Sequence, residues 1–157
     1  YDVETGEIVP LTKRVGFVDR KLKRINAEVD DKAEWQRLVV EAYKSSYGFE
    51  WSGDSLLLAR ENLLYTYRDY YFQKWLEEPT YGLFANIAKI ISYNLFQMDG
   101  LKYIIPLTEK REKILEVQMS LFDYEEPEEQ WRIKSGKRVK IMNWETNKME
   151  FFDKGVR

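Results

Sequence analysis

The stretch YGFEWSGDSLLLARENLL, from Tyr47 to Leu64, changes its character in the middle, and this change decides the fold class. An aromatic run ends at Glu50, a Ser-Gly-Asp turn follows, and an apolar-rich segment with helical spacing begins near Asp54. The pattern predicts a short strand, a turn and a long helix with Asp54 as its N-cap. A carboxylate in the position of Glu50 either helps to form the turn or binds a ligand.

Two further helices and a second strand are predicted around this turn. Asp31 with Glu34 resembles a capping box, and Thr80 follows the stop signal Pro79. The three helices are expected to run from Asp31 to about Ser46, from Asp54 to about Glu78, and from Thr80 to about Ser92. The string YNLFQMD (93–99) then reads as a strand that ends at Asp99. The chain is therefore predicted to be α/β and rich in helix.

The composition excludes several kinds of chemistry. The 157 residues are 44% hydrophobic, which is enough for a single core. The chain has no cysteine and no histidine, so thiol catalysis, disulfides, Ser-His-Asp triads and zinc sites with nitrogen and sulfur ligands are excluded. No metal site is expected, and a carboxylate-metal nuclease ranks last because no Asp…Glu-x-Lys arrangement lies in a strand. No apolar run approaches the ~20 residues that span a membrane, and no signal peptide is visible, so we expect a cytoplasmic protein.

Charge and turn patterns divide the chain into four segments. Residues 1–30 are expected to form a basic N-terminal arm, extended or hairpin-like, with six basic residues between Lys13 and Arg24. Residues 31–118 form the helical α/β core, 119–130 an acidic linker, and 131–157 a basic β-hairpin around Glu145-Thr146-Asn147. The net charge of −2 excludes a broadly basic nucleic-acid binder but not a local basic patch.

The basic hairpin is the best candidate for contact with a polyanion. From Arg132 to Arg157 there are eight Lys and Arg residues against three acidic residues. Lys137, Arg138 and Lys140 are the predicted nucleic-acid contacts. A solvated sheet face is the simpler explanation for the hairpin, and solvated surface is likewise the simpler explanation for the basic arm.

The acidic ends of the two predicted strands suggest a cofactor site. If the strands are neighbours in a sheet, the carboxylate of Glu50 can accept hydrogen bonds from two ribose hydroxyls, and Asp99 can accept one from an adenine amine. The alternative is structural, because acidic residues often follow strands as turn formers or helix caps, and Asp99-Gly100 is an ordinary turn dipeptide.

A family resemblance covers most of the chain. YGFEWSGDSLLLARENLL resembles the second motif of S-adenosylmethionine-dependent DNA methyltransferases, and NLFQMDGLK (94–102) resembles their third motif. The set of strings from RVGFVDRKL to IMNW resembles the bacterial restriction–modification proteins called subunit M, which are DNA adenine methyltransferases. The resemblance implies part of a Rossmann-like sheet with long helices and a C-terminal β-hairpin. It also implies that Glu50 binds the ribose of S-adenosylmethionine, that Asp99 approaches the adenine, and that Trp51 and Met98 flank the adenine.

Two motifs of that family are absent from the chain. There is no Gly-rich turn of the first motif, and no Asn-Pro-Pro-Tyr turn of the fourth, because all four prolines are isolated. The chain also begins at Tyr1 rather than Met. We therefore expect a fragment that contributes cofactor contacts to a larger DNA adenine-N6 methyltransferase, acts with the remainder of that enzyme or with other restriction-system subunits, and is inactive alone. The alternative is a non-catalytic DNA-binding or assembly module of such a system.

A second short string resembles a docking peptide. QMSLF, from Gln118 to Phe122, is similar to the pentapeptide by which bacterial DNA-processing proteins bind the polymerase sliding clamp. Its glutamine would form hydrogen bonds and its Leu-Phe pair would fill an apolar pocket. The favoured alternative is that Leu121 and Phe122 pack on the body of the protein.

Overall fold

The computed structural model describes residues 4–113 and 131–154. They form four α-helices: α1 Phe17–Glu28, α2 Lys32–Lys44, α3 Gly53–Trp75 and α4 Tyr81–Asn94. The strands are β1 Gly48–Glu50, β2 Leu95–Gln97, β3 Lys110–Lys113, β4 Trp131–Lys134, β5 Lys140–Asn143 and β6 Lys148–Phe151. The clamp-like segment Gln118–Phe122 and the acidic run 123–129 lie outside the described residues.

The helix caps are largely those that the sequence predicts. The Asp31 side chain accepts a hydrogen bond of 2.8 Å from the Glu34 amide at the start of α2. Thr80 caps α4 through a longer contact of 3.5 Å from the Leu83 amide. The prediction for α3 is wrong by two residues, because Ser52 rather than Asp54 is its N-cap. Asp54 lies instead in the first turn, where its negative charge stabilises the helix by interacting with the positive end of the helix dipole.

The expectation of a hairpin or an extended arm over residues 1–30 is wrong for residues 17–28, which form α1. The helix forms because Val18, Leu22 and Ile25 recur at helical spacing and turn one face towards the core. Val18 and Leu22 are buried. The charged residues between them obscured this spacing in the sequence.

The core is aromatic and centres on Trp35 of α2. The Trp35 ring lies 5.5 Å from Tyr71 and 6.1 Å from Trp75, both in edge-on geometry, and 6.2 Å from Tyr67. Tyr67, Tyr70 and Tyr71 are no more than 1% exposed. These three tyrosines are therefore part of the core, whereas Tyr65 and Phe72 of the same helix are about half exposed.

The strands form three sheets of two strands each. β1 and β2 pair in parallel, with Phe49 opposite Phe96, and α3 and α4 form the crossover between them. β5 and β6 form the antiparallel hairpin that the sequence predicts, and β3 pairs with β4 in the same manner. The protein is thus mixed α/β, but the described residues contain no sheet of three or more strands and no Rossmann-like sheet. None of their helices has both the length and the apolar composition needed to cross a bilayer.

Candidate functional site

The candidate site lies at the carboxyl end of the parallel pair β1–β2. Glu50 is the last residue of β1 and lies opposite Gln97, the last residue of β2. The amide of Met98 donates a hydrogen bond of 3.0 Å to the carbonyl oxygen of Glu50. The structure therefore places the end of β1 beside the end of β2, which lies at Gln97 rather than at the predicted Asp99.

Glu50 presents an exposed carboxylate beside the beginning of a helix. Its side chain forms no hydrogen bond or ion pair with any described residue. α3 begins three residues later, at Gly53. The first amides of a helix lack intrahelical acceptors and carry a positive partial charge. An exposed acceptor and a helix N-terminus thus occur next to each other.

Asp99 has a structural role in the turn after β2. Its Oδ1 accepts hydrogen bonds of 2.9 Å from the Leu101 amide and 3.2 Å from the Lys102 amide, and the residue is 8% exposed. This is the turn-forming role that the sequence left open. Its other carboxylate oxygen, Oδ2, has no hydrogen-bond partner among the described residues. Only that oxygen remains for a ligand.

The two predicted flanking residues differ in their exposure. Trp51 is 54% exposed, and its carbonyl oxygen accepts a hydrogen bond of 2.7 Å from the Gln97 side chain. Its indole is open to a ligand. Met98 is 1% exposed, so its thioether packs inside the protein and offers no wall to a pocket.

An aromatic cluster that the sequence did not predict lies beside this site. The Phe49 ring lies 6.4 Å from Phe96 and 6.3 Å from Phe152, and Phe152 also lies 5.7 Å from Tyr103. Gly100 allows the close packing, because a Cβ atom there would come within 2.9 Å of the Phe49 ring. No local pattern could indicate this cluster, since Phe152 follows the other members by about fifty residues or more.

The three predicted nucleic-acid contacts lie in and just before β5, and they differ in their availability. The Arg138 guanidinium pairs with the Asp153 carboxylate and lies 4.0 Å from the centre of the Phe151 ring. The Lys140 ammonium lies 4.9 Å from the same ring. Lys137 and Lys140 are exposed and have no acidic partner among the described residues. Two of the three cations are thus free to meet a polyanion.

The basic residues of the N-terminal segment mainly make internal contacts. Arg14 forms a 2.8 Å ion pair with Asp69 of α3. The Lys21 ammonium donates to the Ser45 hydroxyl at 2.8 Å, and the Lys23 ammonium donates to the Arg14 carbonyl oxygen at 2.6 Å. These side chains tie the segment to the helices, which leaves few of them for phosphate.

A cleft of about 710 Å³ lies away from the strand ends, between the N-terminal segment and α3. Two of the cations that line it are already paired, Arg14 with Asp69 and Arg68 with Glu78. No group of three or more acidic side chains among the described residues is placed to hold a metal ion. Lys13 is the lining cation without an acidic partner among the described residues, and the residues of the strand-end site do not line this cleft.

Comparison with known proteins gave no match: no protein-family model, no curated protein and no solved structure matches this chain.

Proposed function

We propose that this chain contributes the ribose-binding end of an S-adenosylmethionine site to a DNA adenine-N6 methyltransferase of a restriction–modification system. The observation that carries the proposal is the exposed Glu50 carboxylate, which has no partner and lies at the carboxyl end of a parallel strand pair, just before α3. Ligands of open α/β sheets bind at this end of the strands. The resemblance of the surrounding strings to the second and third methyltransferase motifs supplies the identity of the cofactor.

The groups around Glu50 suit a nucleoside. A carboxylate offers two acceptor oxygens, which match the two adjacent hydroxyls of a ribose. The exposed indole of Trp51 can cover one face of a planar base, and Oδ2 of Asp99 can accept from an exocyclic amine. Met98 contributes through its backbone, which holds the end of β1, rather than through its side chain.

Methyl transfer requires groups that this chain lacks. A DNA adenine methyltransferase must hold the methionine part of the cofactor and must accept a flipped base. The Gly-rich turn and the Asn-Pro-Pro-Tyr turn that do this in the resembled family are absent from the sequence. The proposal therefore assigns cofactor binding to this chain, and places methyl transfer in an assembly with further polypeptide.

The proposal is tested by titrating the chain with S-adenosylhomocysteine in a calorimeter. Hydrogen bonds to a charged group contribute about 1.5–3 kcal/mol, so Glu50→Gln should weaken binding by about 10- to 100-fold. Glu61→Gln is the matched control, because Glu61 is an exposed acid of α3 with no partner among the described residues. The Glu61→Gln variant should bind S-adenosylhomocysteine with the affinity of the wild type. Equal affinities of the wild type and Glu50→Gln would refute the ribose assignment, and absence of binding by the wild type would refute the proposal for this chain.

A second candidate function is a non-catalytic DNA-binding or assembly module. The pairing of β3 with β4 places Lys110 directly opposite Lys134, which is unfavourable unless anions lie nearby. Glu112 relieves part of this repulsion through a 3.1 Å contact with Lys134. Together with the free Lys137 and Lys140, this basic surface favours a polyanionic partner.

A further inference from the structure

One buried side-chain amide connects the elements that carry the candidate site. Asn94 is the last residue of α4 and is 1% exposed. Its Nδ2 donates to the carbonyl oxygens of Tyr43 at 2.9 Å, Lys44 at 2.9 Å and Ser46 at 3.1 Å. Its Oδ1 accepts a hydrogen bond of 2.7 Å from the indole of Trp144. Both ends of the amide are thus fully used inside the protein.

These bonds lie where the chain enters β1 and β2. The last carbonyl groups of α2 have no intrahelical partner, and Asn94 satisfies them where the chain turns from Lys44 towards β1. The backbone of Asn94 leads directly into β2 at Leu95. Gly48 and Leu95, the first residues of the two strands, are paired in register. One residue therefore fixes where both strands begin.

Two neighbouring contacts hold this junction in place. The Arg60 guanidinium of α3 donates to the Leu95 carbonyl oxygen at 2.6 Å, so α3 is tied to the start of β2. Trp144 follows β5 and precedes β6, so its bond to Asn94 ties the C-terminal hairpin to the same point. The Tyr47 hydroxyl adds a 2.8 Å bond to the Met142 carbonyl oxygen of the hairpin.

We propose that Asn94 is the positioning residue of the candidate site. It sets the register of β1 against β2 and so places Glu50 beside Gln97 and Met98, without touching a ligand itself. The inference rests on the proposed function only for the statement that this end of the strands is the site. The positioning role can be measured without any ligand.

The test is hydrogen exchange of the Met98 amide, which donates to the Glu50 carbonyl oxygen at the end of the register. Asn94→Asp keeps an acceptor for Trp144 but turns an anionic oxygen towards three carbonyl oxygens. Exchange at Met98 should therefore become at least about tenfold faster, while amides in the second half of α3, such as that of Tyr71, change by less than about threefold. Asn86→Asp is the matched control, because it makes the same change at an exposed residue of α4 whose side chain has no partner among the described residues, and it should leave the Met98 exchange rate within about threefold of the wild type.

Two results would overturn the inference. An unchanged Met98 exchange rate would show that Asn94 does not set the register, and an equal acceleration at Met98 and Tyr71 would show a general loss of stability. If Asn94→Asp does not fold, Asn94→Gln displaces the same donors without a buried charge and is measured with the same criteria. The wild-type titration with S-adenosylhomocysteine separately decides whether the site binds this ligand, so the two proposals can fail independently.

Discussion

Several tyrosine hydroxyls of the core are removed from water, and this affects their ionisation. The Tyr43 hydroxyl donates to the Leu63 carbonyl oxygen at 2.8 Å, and burial raises its pKa well above the usual range. Burial also raises the pKa of Tyr67, although the hydrogen bond of its hydroxyl to Gln36 opposes the shift. In the unfolded chain both hydroxyls would ionise near pH 10.

These shifts predict a loss of stability at alkaline pH. Above about pH 10 the unfolded chain releases protons that the folded protein keeps, so the free energy of unfolding falls by about 1.4 kcal/mol per pH unit for each buried tyrosine. Below that pH the tyrosine hydroxyls are protonated in both states, so their ionisation does not lower the free energy of unfolding. Tyr43→Phe should reduce the slope by up to about 1.4 kcal/mol per pH unit in urea unfolding between about pH 10 and 12, where the unfolded hydroxyl is ionised and the folded one is not. Tyr81→Phe, at a residue that is 87% exposed, should leave the slope unchanged, and equal slopes for the two variants would contradict the prediction.

At the scale of the elements, the N-caps of α2 and α3 offer a matched comparison. The Asp31 side chain accepts from the Glu34 amide, whereas the Ser52 side chain makes no capping bond. Asp31→Ala should therefore lower the free energy of unfolding by about 1 kcal/mol, and Ser52→Ala by less than about 0.5 kcal/mol. Urea unfolding at neutral pH measures both changes, and a larger loss for Ser52→Ala would show that the cap geometry is wrong.

The elements also show which features the sequence can predict. The capping side chain of α2 and the alternation in the hairpin are local patterns, so α2 and the pair β5–β6 are confirmed close to the predicted positions. The two predicted strands are neighbours, as the cofactor interpretation requires, and they pair in parallel because the helical crossover of α3 and α4 joins them. α1 was missed because its apolar positions are few and lie among charged residues.

The candidate site could be predicted only in part, because some of its features depend on contacts between residues that are distant in the sequence. The position of Glu50 follows from the local strand–turn–helix pattern. The burial of Met98 and the use of Asp99 Oδ1 within its own turn depend on the packing of the following loop. The bond from Trp144 to Asn94 joins residues fifty positions apart, and no periodicity of the sequence reports such a contact.

At the scale of the whole molecule, the basic hairpin β5–β6 is in direct contact with the parallel pair β1–β2. The hairpin β5–β6 carries basic side chains and is bonded to the starts of β1 and β2 through the Trp144–Asn94 and Tyr47–Met142 bonds. Phe152, which follows β6, packs against Phe49 and Phe96 of the parallel pair. A polyanion on the hairpin would therefore lie on an element that packs against the parallel pair, which carries Glu50.

The basic surface of the hairpin predicts DNA binding that depends steeply on salt. Each lysine that neutralises a phosphate contributes about 0.9 to the slope of log affinity against log salt concentration, so changing both Lys137 and Lys140 to Gln should reduce the slope by about 1.8. Arg138→Gln should have a smaller effect, because Arg138 is already paired with Asp153. Fluorescence anisotropy with a duplex DNA at several low salt concentrations measures the slopes. Lys89→Gln, at an exposed lysine of α4 outside the hairpin, is the control. Equal slopes for the wild type and the double variant would remove the hairpin as a DNA contact, since electrostatic binding at that surface cannot survive the loss of its two free cations unchanged.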